Sequence, residues 1–180
     1  MLKLNLTGLV FPISYYIGKN NNWDVNFFLN KKKHMNVEQL KELYNNGWEI
    51  GSHGDSHKSY RFLSKKEVEY DMRNSKQVLE NELNSKVDSF APPFGYYNSF
   101  VLKMCDEIGY KKIFIQKPIL DDKVGNNYRV EIVYRRSIYS IDNQRSIKRK
   151  TRNSIFEILK ENFIHSCSFA TTVVKKSFDI

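Results

Sequence analysis

Trp48–His57 reads W-E-I-G-S-H-G-D-S-H, and it places two histidines four residues apart, directly after a short apolar run. The apolar residues are typical of a buried strand, and the small residues after them are typical of a loop. Because neutral imidazole is a common ligand of catalytic metals, His53 and His57 are candidate metal ligands. The alternative interpretation is a pair of surface or hydrogen-bonded histidines that have this spacing by chance.

Strand-like and helix-like segments alternate along the chain around this segment. The alternation predicts parallel strands joined by right-handed crossovers, hence an α/β barrel or an open α/β sheet. Strands are predicted at Leu9–Ile13, Trp48–Ser52, Val87–Phe90, Lys112–Gln116 and Tyr128–Tyr134. Helices are predicted from Asn36 to Gly47, from Ser64 to Asn84, from Asn98 to Gly109 and over Ser154–Phe163, with capping residues at the first three starts.

Composition excludes several classes of protein. The chain has 180 residues, 41% of them apolar, which suits one folded domain and excludes disorder. Its net charge of +9 raises the possibility of nucleic acid as a partner, but the basic residues are scattered and no recognised binding motif accompanies them.

No apolar run approaches the ~20 residues of a membrane span. Met1–Leu6 does not have the pattern of a signal peptide, and Cys105 is expected to be a buried free thiol.

A stiff turn is predicted at Phe90–Asn98, which reads F-A-P-P-F-G-Y-Y-N. Two successive prolines remove two backbone donors, so the first available amide is that of Phe94. A rigid, unpaired N–H beside a metal could serve as an oxyanion hole, although an ordinary turn before an Asn-capped helix has the same pattern. Both this turn and the two histidines follow strands, and ligands of parallel sheets bind at the carboxyl ends of strands. One pocket is therefore expected to hold both segments.

Together the two segments resemble the polysaccharide deacetylase family, whose domain is also called the NodB-homology or carbohydrate esterase family 4 domain. The family's H-[ST]-x-x-H motif corresponds to His53–His57, with Gly54 at the position of the small hydroxyl residue. Its R-x-P-[YF]-G-type motif corresponds to Phe90–Gly95. The resemblance covers roughly residues 6–139, and the order and spacing of the two motifs are fairly specific.

The resemblance implies a (β/α) barrel and metal-dependent removal of N-acetyl groups from a polysaccharide or oligosaccharide. His53 and His57 are the expected ligands of a divalent metal, most simply zinc, and the backbone N–H of Phe94 is expected to stabilise the oxyanion. Relatives usually act at the cell envelope or outside the cell. The expected domain covers residues 1–143, and residues 144–180 are expected to form a helical segment packed on it. The expected substrate-binding residues are Pro93, Gly95 and Tyr96.

The family's first motif, T-F-D-D-G, has no counterpart before the first predicted strand. One of its aspartates is the general base and the other is the third metal ligand, so the barrel is expected to be incomplete at its first strand and the activity impaired. Asp121 and Asp122 are expected to lie in a loop, and His165 is an unfavoured candidate for the family's general acid. Asp55 could orient a metal ligand, but it is more simply expected to face solvent, as is His34.

Two other functions remain open. A non-catalytic remnant of a deacetylase could bind carbohydrate through rim aromatics, namely Trp48, Tyr96 and Tyr97. A basic nucleic-acid-binding domain with a structural metal is the third interpretation, because of the positive net charge. Acetate release, glycan binding without acetate release, and salt-dependent DNA binding distinguish the three.

Overall fold

The computed structural model describes residues 4–21, 32–116, 128–139, 142–152, 155–161 and 164. The chain divides into two compact units. The first comprises Met1–Ile115 and Val124–Val133, and the second comprises Gln116–Lys123 and Tyr134–Ile180. Asp121, Asp122 and His165, for which expectations were drawn from the sequence, lie outside the described residues. The division between residues 143 and 144 stays a prediction.

Five strands form the sheets of the described chain: β1 (Leu9–Val10), β2 (Glu49–Ile50), β3 (Ser89–Phe90), β4 (Lys112–Gln116) and β5 (Glu131–Arg135). β1 pairs with β2 and β3 pairs with β4, both in parallel, and β5 lies beside β4. A parallel bridge between Ser52 and Phe90 joins the continuation of β2 to β3. The parallel order predicted from the alternation of segments is confirmed for β1–β4, although most strands are shorter than predicted.

Three helices of the first unit begin where the capping residues place them. They are α1 (Val37–Asn45), α2 (Lys65–Leu83) and α3 (Ser99–Ile108). Asn36 and Gln39 form a capping box in which each side chain accepts the other residue's backbone N–H, at 2.9 and 3.0 Å. Asn98 accepts the Val101 N–H at 2.9 Å. These bonds satisfy amides that the helices themselves leave unpaired.

The second unit contains α4 (Gln144–Thr151) and α5, which spans residues 155–161. α5 lies within the predicted Ser154–Phe163 helix, whereas α4 was not predicted. Asn143 caps α4 through the Ser146 amide at 2.9 Å, so an Asn-x-x-Ser box was the available signal. Lys150 of α4 is only 3% exposed and donates to the Asp142 carboxylate at 2.5 Å. This hydrogen bond from Lys150 is the main cause that lowers the pKa of Asp142 well below its usual range.

The hydrophobic core of the first unit lies between the strands and the three helices. Cys105 is fully buried and is a free thiol, as predicted, and burial raises its pKa. Within the described residues no helix combines the length and the hydropathy that crossing a bilayer requires. The largest fully buried apolar side chains of this core are Leu40, Met72, Leu79, Phe90, Leu102, Ile113 and Ile115.

Replacing Ser64 by alanine should lower the free energy of unfolding by about 1 kcal/mol, because the start of α2 loses its cap. The Ser64 hydroxyl accepts the Glu67 amide at 3.3 Å, and Glu67 Oε2 accepts the Ser64 amide at 2.7 Å. The measurement is urea denaturation of the variant and the wild type. Ser99→Ala, which truncates an exposed serine inside the first turn of α3, is the control and should change stability by less than about 0.5 kcal/mol. Equal losses in the two variants would contradict the capping role.

Candidate metal and catalytic site

Backbone pairing of the strands brings the two sequence motifs to the same edge of the sheet. The Ser52 N–H donates to the Ser89 carbonyl at 2.8 Å, and the Ala91 N–H donates to the Ser52 carbonyl at 2.9 Å. The histidine loop leaves the sheet after Ser52, and the proline turn leaves it after Ala91. Because both strands run in the same direction, both loops start from their carboxyl ends, as the sequence predicted.

The imidazole of His53 is held by the backbone of the neighbouring strand. Its Nδ1 lies 2.6 Å from the Ala91 carbonyl oxygen. A carbonyl oxygen only accepts hydrogen bonds, so Nδ1 carries the proton and donates it. In the neutral ring the lone pair is then on Nε2, which is the atom left to act as a ligand or a base. A hydrogen bond of this kind is what normally orients a metal-binding histidine.

His57 lies beside both His53 and Phe94. The centre of its ring is 5.0 Å from that of His53 and 4.8 Å from that of Phe94, and its side chain is buried. His57 and Phe94 both have φ at 56°, in the left-handed region that non-glycine residues seldom adopt. Such backbone strain is concentrated at functional sites in known structures. The structure therefore brings together the three residues for which sequence analysis predicted a metal-binding or catalytic role.

The backbone hydrogen bonds within the proline turn are donated by residues that follow Phe94. Those bonds are donated by Gly95 to the Pro92 carbonyl at 3.0 Å and by Tyr96 to the Pro93 carbonyl at 3.3 Å. Neither of them uses the Phe94 N–H. Pro93 is buried, whereas the Tyr96 ring is half-buried with the Arg61 guanidinium 5.2 Å from its centre. The oxyanion role of Phe94 and the substrate contacts of Pro93, Gly95 and Tyr96 stay predictions.

A cavity of about 260 Å³ lies next to β1 and includes the two histidines in its wall. His34 also lines it, half-buried and stacked on Tyr16 with ring centres 5.4 Å apart. Burial lowers the pKa of His34. The expectation that His34 faces solvent is therefore wrong, because Tyr16 covers one side of its ring. The other lining residues are Val10, Phe11, Pro12, Ile13, Ile17 and Met35.

Two further expectations are corrected by the packing around the histidine loop. Asp55 does not simply face solvent, because its carboxylate accepts the Ser14 hydroxyl at 2.5 Å. Trp48 does not share a rim with Tyr96 and Tyr97. Trp48 precedes β2, and a Cβ added to Gly8 would lie 2.9 Å from its ring. The two tyrosines instead follow the carboxyl end of β3. The two ends of a parallel strand lie at opposite edges of the sheet.

Two imidazoles supply only part of a catalytic zinc site. Their adjacency and the orientation of His53 fit a divalent ion that takes nitrogen ligands. Catalytic zinc normally has three protein ligands and one open position. Among the residues that the structure describes, no group of three His, Cys, Asp or Glu side chains is placed to hold a metal ion. The described part of the chain thus offers two of the usual three ligands.

Comparisons with known proteins identify similar sequences and structures. YxkH of Bacillus subtilis (strain 168), whose name assigns it provisionally to the polysaccharide deacetylases, is 30% identical over 80 residues, which cover 44% of this chain and 29% of YxkH. A de-N-acetylase from Aggregatibacter actinomycetemcomitans superposes with a TM-score of 0.61 at 18% identity, over 82% of this chain and 66% of its own. The deacetylase PplD of Streptococcus pyogenes, solved with acetate, gives a TM-score of 0.55 at 18% identity, over 74% of this chain and 55% of its own.

These relatives are longer than the matched part of this chain, which spans less than a third of YxkH and 55% to 66% of the two solved proteins. At such identities the two structures show the fold alone, and that fold is the α/β fold of the NodB-homology type that the sequence predicted. The family model for polysaccharide deacetylases matches residues 11–113, which is more than half of the 180 residues and includes both motifs. The chain belongs to the polysaccharide deacetylase family.

Proposed function

We propose that this chain is a metal-dependent deacetylase domain that hydrolyses N-acetyl groups on a polysaccharide. The observation that carries the proposal is the convergence of His53, His57 and the Phe94 turn at one edge of the sheet, with ring centres no more than 5.0 Å apart along the series. We further propose the (β/α) barrel of the family as the complete architecture and the cell envelope as the place of action. Both are carried over from family membership.

His53 and His57 would hold the ion, most simply zinc, with His53 binding through Nε2 because its Nδ1 donates to Ala91. A divalent ion in such a site polarises a carbonyl and lowers the pKa of bound water towards ~7. The chain's own contribution is to orient the metal ligands and to stabilise the negative charge that develops on the acetyl oxygen. The Phe94 N–H is a rigid donor that costs no reorganisation when negative charge develops on the acetyl oxygen. Phe94 packs against the ring of His57 and would shield one side of the site from water.

The substrate would be a glycan with N-acetylated sugars. Tyr96 follows the proline turn directly, and its half-buried ring leaves a face that can pack against a sugar. The 260 Å³ cavity next to the histidines is largely apolar in its lining residues, and this suits a small acyl group better than a charged one. We propose no general base among the described residues.

The test is acetate release from N-acetylglucosamine oligomers, measured together with zinc binding by calorimetry. His53→Ala and His57→Ala should each weaken zinc binding by at least about 10-fold, which is the low end of the loss seen when even an outer partner of a metal ligand is removed. Acetate release should fall together with zinc binding in both variants. Tyr70→Ala, which changes a side chain that is 68% exposed on α2, is the control and should leave both unchanged.

The rival functions give different results in the same experiments. Glycan binding that survives both histidine variants, without acetate release by the wild type, would favour a non-catalytic carbohydrate-binding domain. Steeply salt-dependent binding of DNA would favour the nucleic-acid-binding alternative. Absence of zinc binding in the wild type would overturn the metal-dependent mechanism.

A further inference from the structure

A buried carboxylate from α2 reaches the loop that carries the two histidines. Asp71 is 4% exposed and accepts four hydrogen bonds from residues 55–60. Its Oδ1 accepts the Ser56 amide at 2.8 Å and the Ser56 hydroxyl at 2.6 Å, and its Oδ2 accepts the Asp55 amide at 2.9 Å. The Tyr60 hydroxyl completes the set with a bond of 2.7 Å to Oδ2. Three of these four bonds therefore end on residues between His53 and His57.

Gly54 makes room for this carboxylate. A Cβ added to Gly54 would lie 2.5 Å from Asp71 Oδ2 and 3.0 Å from the Tyr60 hydroxyl, and the φ of Gly54 is +75°. Both the close approach and the left-handed backbone require glycine. The family motif has a small hydroxyl residue where this chain has Gly54. Because Gly54 has no side chain, the Asp71 carboxylate can approach its Cα closely. Gly54 and Asp71 thus act as one unit.

The loop is held from its other side as well. Ser14 donates its backbone N–H to the Gly54 carbonyl at 3.2 Å, and Tyr15 donates to the Asp55 carbonyl at the same distance. With the Ser14 hydroxyl bound to Asp55, residues 54–56 have hydrogen bonds on both faces. Burial raises the pKa of Tyr60, and the Asp71 carboxylate raises it further, so the Tyr60 hydroxyl remains a donor. The loop cannot move without breaking several of these bonds.

We propose that Asp71 is a positioning residue, whose carboxylate holds residues 54–56 so that the rings of His53 and His57 meet with centres 5.0 Å apart. Asp71 itself is not one of the residues that contact the metal or the substrate. Its effect passes through the loop backbone to His53, whose Nδ1–H then stays on the Ala91 carbonyl. The inference rests on the proposed function only where it treats the histidines as metal ligands.

The experiment compares Asp71→Asn with Tyr60→Phe, which removes one bond to the same carboxylate but none of its bonds to the loop. Long-range ¹H–¹⁵N NMR of the metal-free protein reports the tautomer of each histidine. We expect the His53 ring to be protonated at Nδ1 in the wild type and in Tyr60→Phe. In Asp71→Asn, where the amide NH₂ faces donors instead of accepting from them, we expect this signature to be lost while near-UV circular dichroism shows a folded protein.

Zinc titration adds a second readout, in which the apparent Kd of Asp71→Asn should rise about 10- to 100-fold relative to Tyr60→Phe. If Asp71→Asn does not fold, Gly54→Ala tests the same contact from the loop side, and the same loss of the His53 signature is expected. A folded Asp71→Asn or Gly54→Ala protein with the wild-type tautomer would overturn the proposal. Failure of the wild type to bind zinc, with the tautomer change present, would instead overturn the metal-dependent function and leave the role of Asp71 supported.

Discussion

Replacing Phe90 by alanine is expected to lower the free energy of unfolding by about 3–5 kcal/mol, which is a large part of the stability of most domains. Phe90 has no exposed surface, and its ring lies 5.0 Å from that of Tyr110 and 6.3 Å from that of Tyr60, centre to centre. The substitution removes a whole ring from a close-packed interior. Because Phe90 belongs to β3, which pairs with β4, the surrounding backbone relaxes only partly and a cavity remains.

Urea or thermal denaturation measures this loss, with Tyr70→Ala as the control. Tyr70 is also aromatic but is 68% exposed, so its removal should change stability by less than about 0.5 kcal/mol. If Phe90→Ala cost no more than Tyr70→Ala, the core described between the strands and the three helices of the first unit would be wrong. Phe90 is the last residue of β3, directly before the proline turn of the candidate site. We therefore expect the variant to lose zinc binding in proportion to the fraction of protein that is unfolded.

The second large effect is expected at Gly51, where alanine should destabilise the protein by about 1–3 kcal/mol through overpacking. A Cβ at this position would lie 2.5 Å from the Phe11 ring and 2.9 Å from the Ser89 carbonyl oxygen. The Phe11 ring packs edge-on against Phe114, and the Ser89 oxygen accepts the Ser52 amide. Relief of the clash therefore requires a shift of the Phe11 ring together with movement of the Ser89 backbone.

Gly109→Ala is the matched control for Gly51→Ala. A Cβ at Gly109 meets nothing within 4 Å, but φ there is +86°, so only the backbone strain of about 1 kcal/mol is expected. Denaturation of both variants separates steric overlap from strain. A smaller loss at Gly51 than at Gly109 would contradict the close approach of the strands on either side of Gly51.

Local sequence patterns predicted much of the fold. The starts of α1, α2 and α3 follow Asn36, Ser64 and Asn98, because a capping side chain bonds to amides only two or three residues further on. β4 has the bounds that its apolar pattern predicted, Lys112–Gln116. The other strands were predicted too long, since an apolar run shows burial but does not show where a neighbouring strand stops pairing. α4 was missed because its apolar content is low and only its cap at Asn143 marks it.

The candidate site was also predicted in part from local sequence patterns. His53, His57 and Phe94 could be named because each lies in a short motif directly after a strand, and parallel strands bring such positions to one edge. The roles of these residues stay predictions until metal binding and acetate release are measured. His34 and Asp71 were not identified as part of the surroundings of the site, because neither belongs to a motif and each contacts residues far from it in the chain.

The sequence by itself determined the helix starts and the two motifs, since each depends on residues within about five positions of one another. The order and spacing of the two motifs then indicated the family. Only the tertiary structure decided which side chains surround the histidine loop. Asp71 reaches the amides of Asp55 and Ser56 across 16 and 15 residues, and Ser14 reaches Asp55 across 41. Such contacts arise from how a helix and a turn pack against the sheet, and no local pattern of residues records that packing.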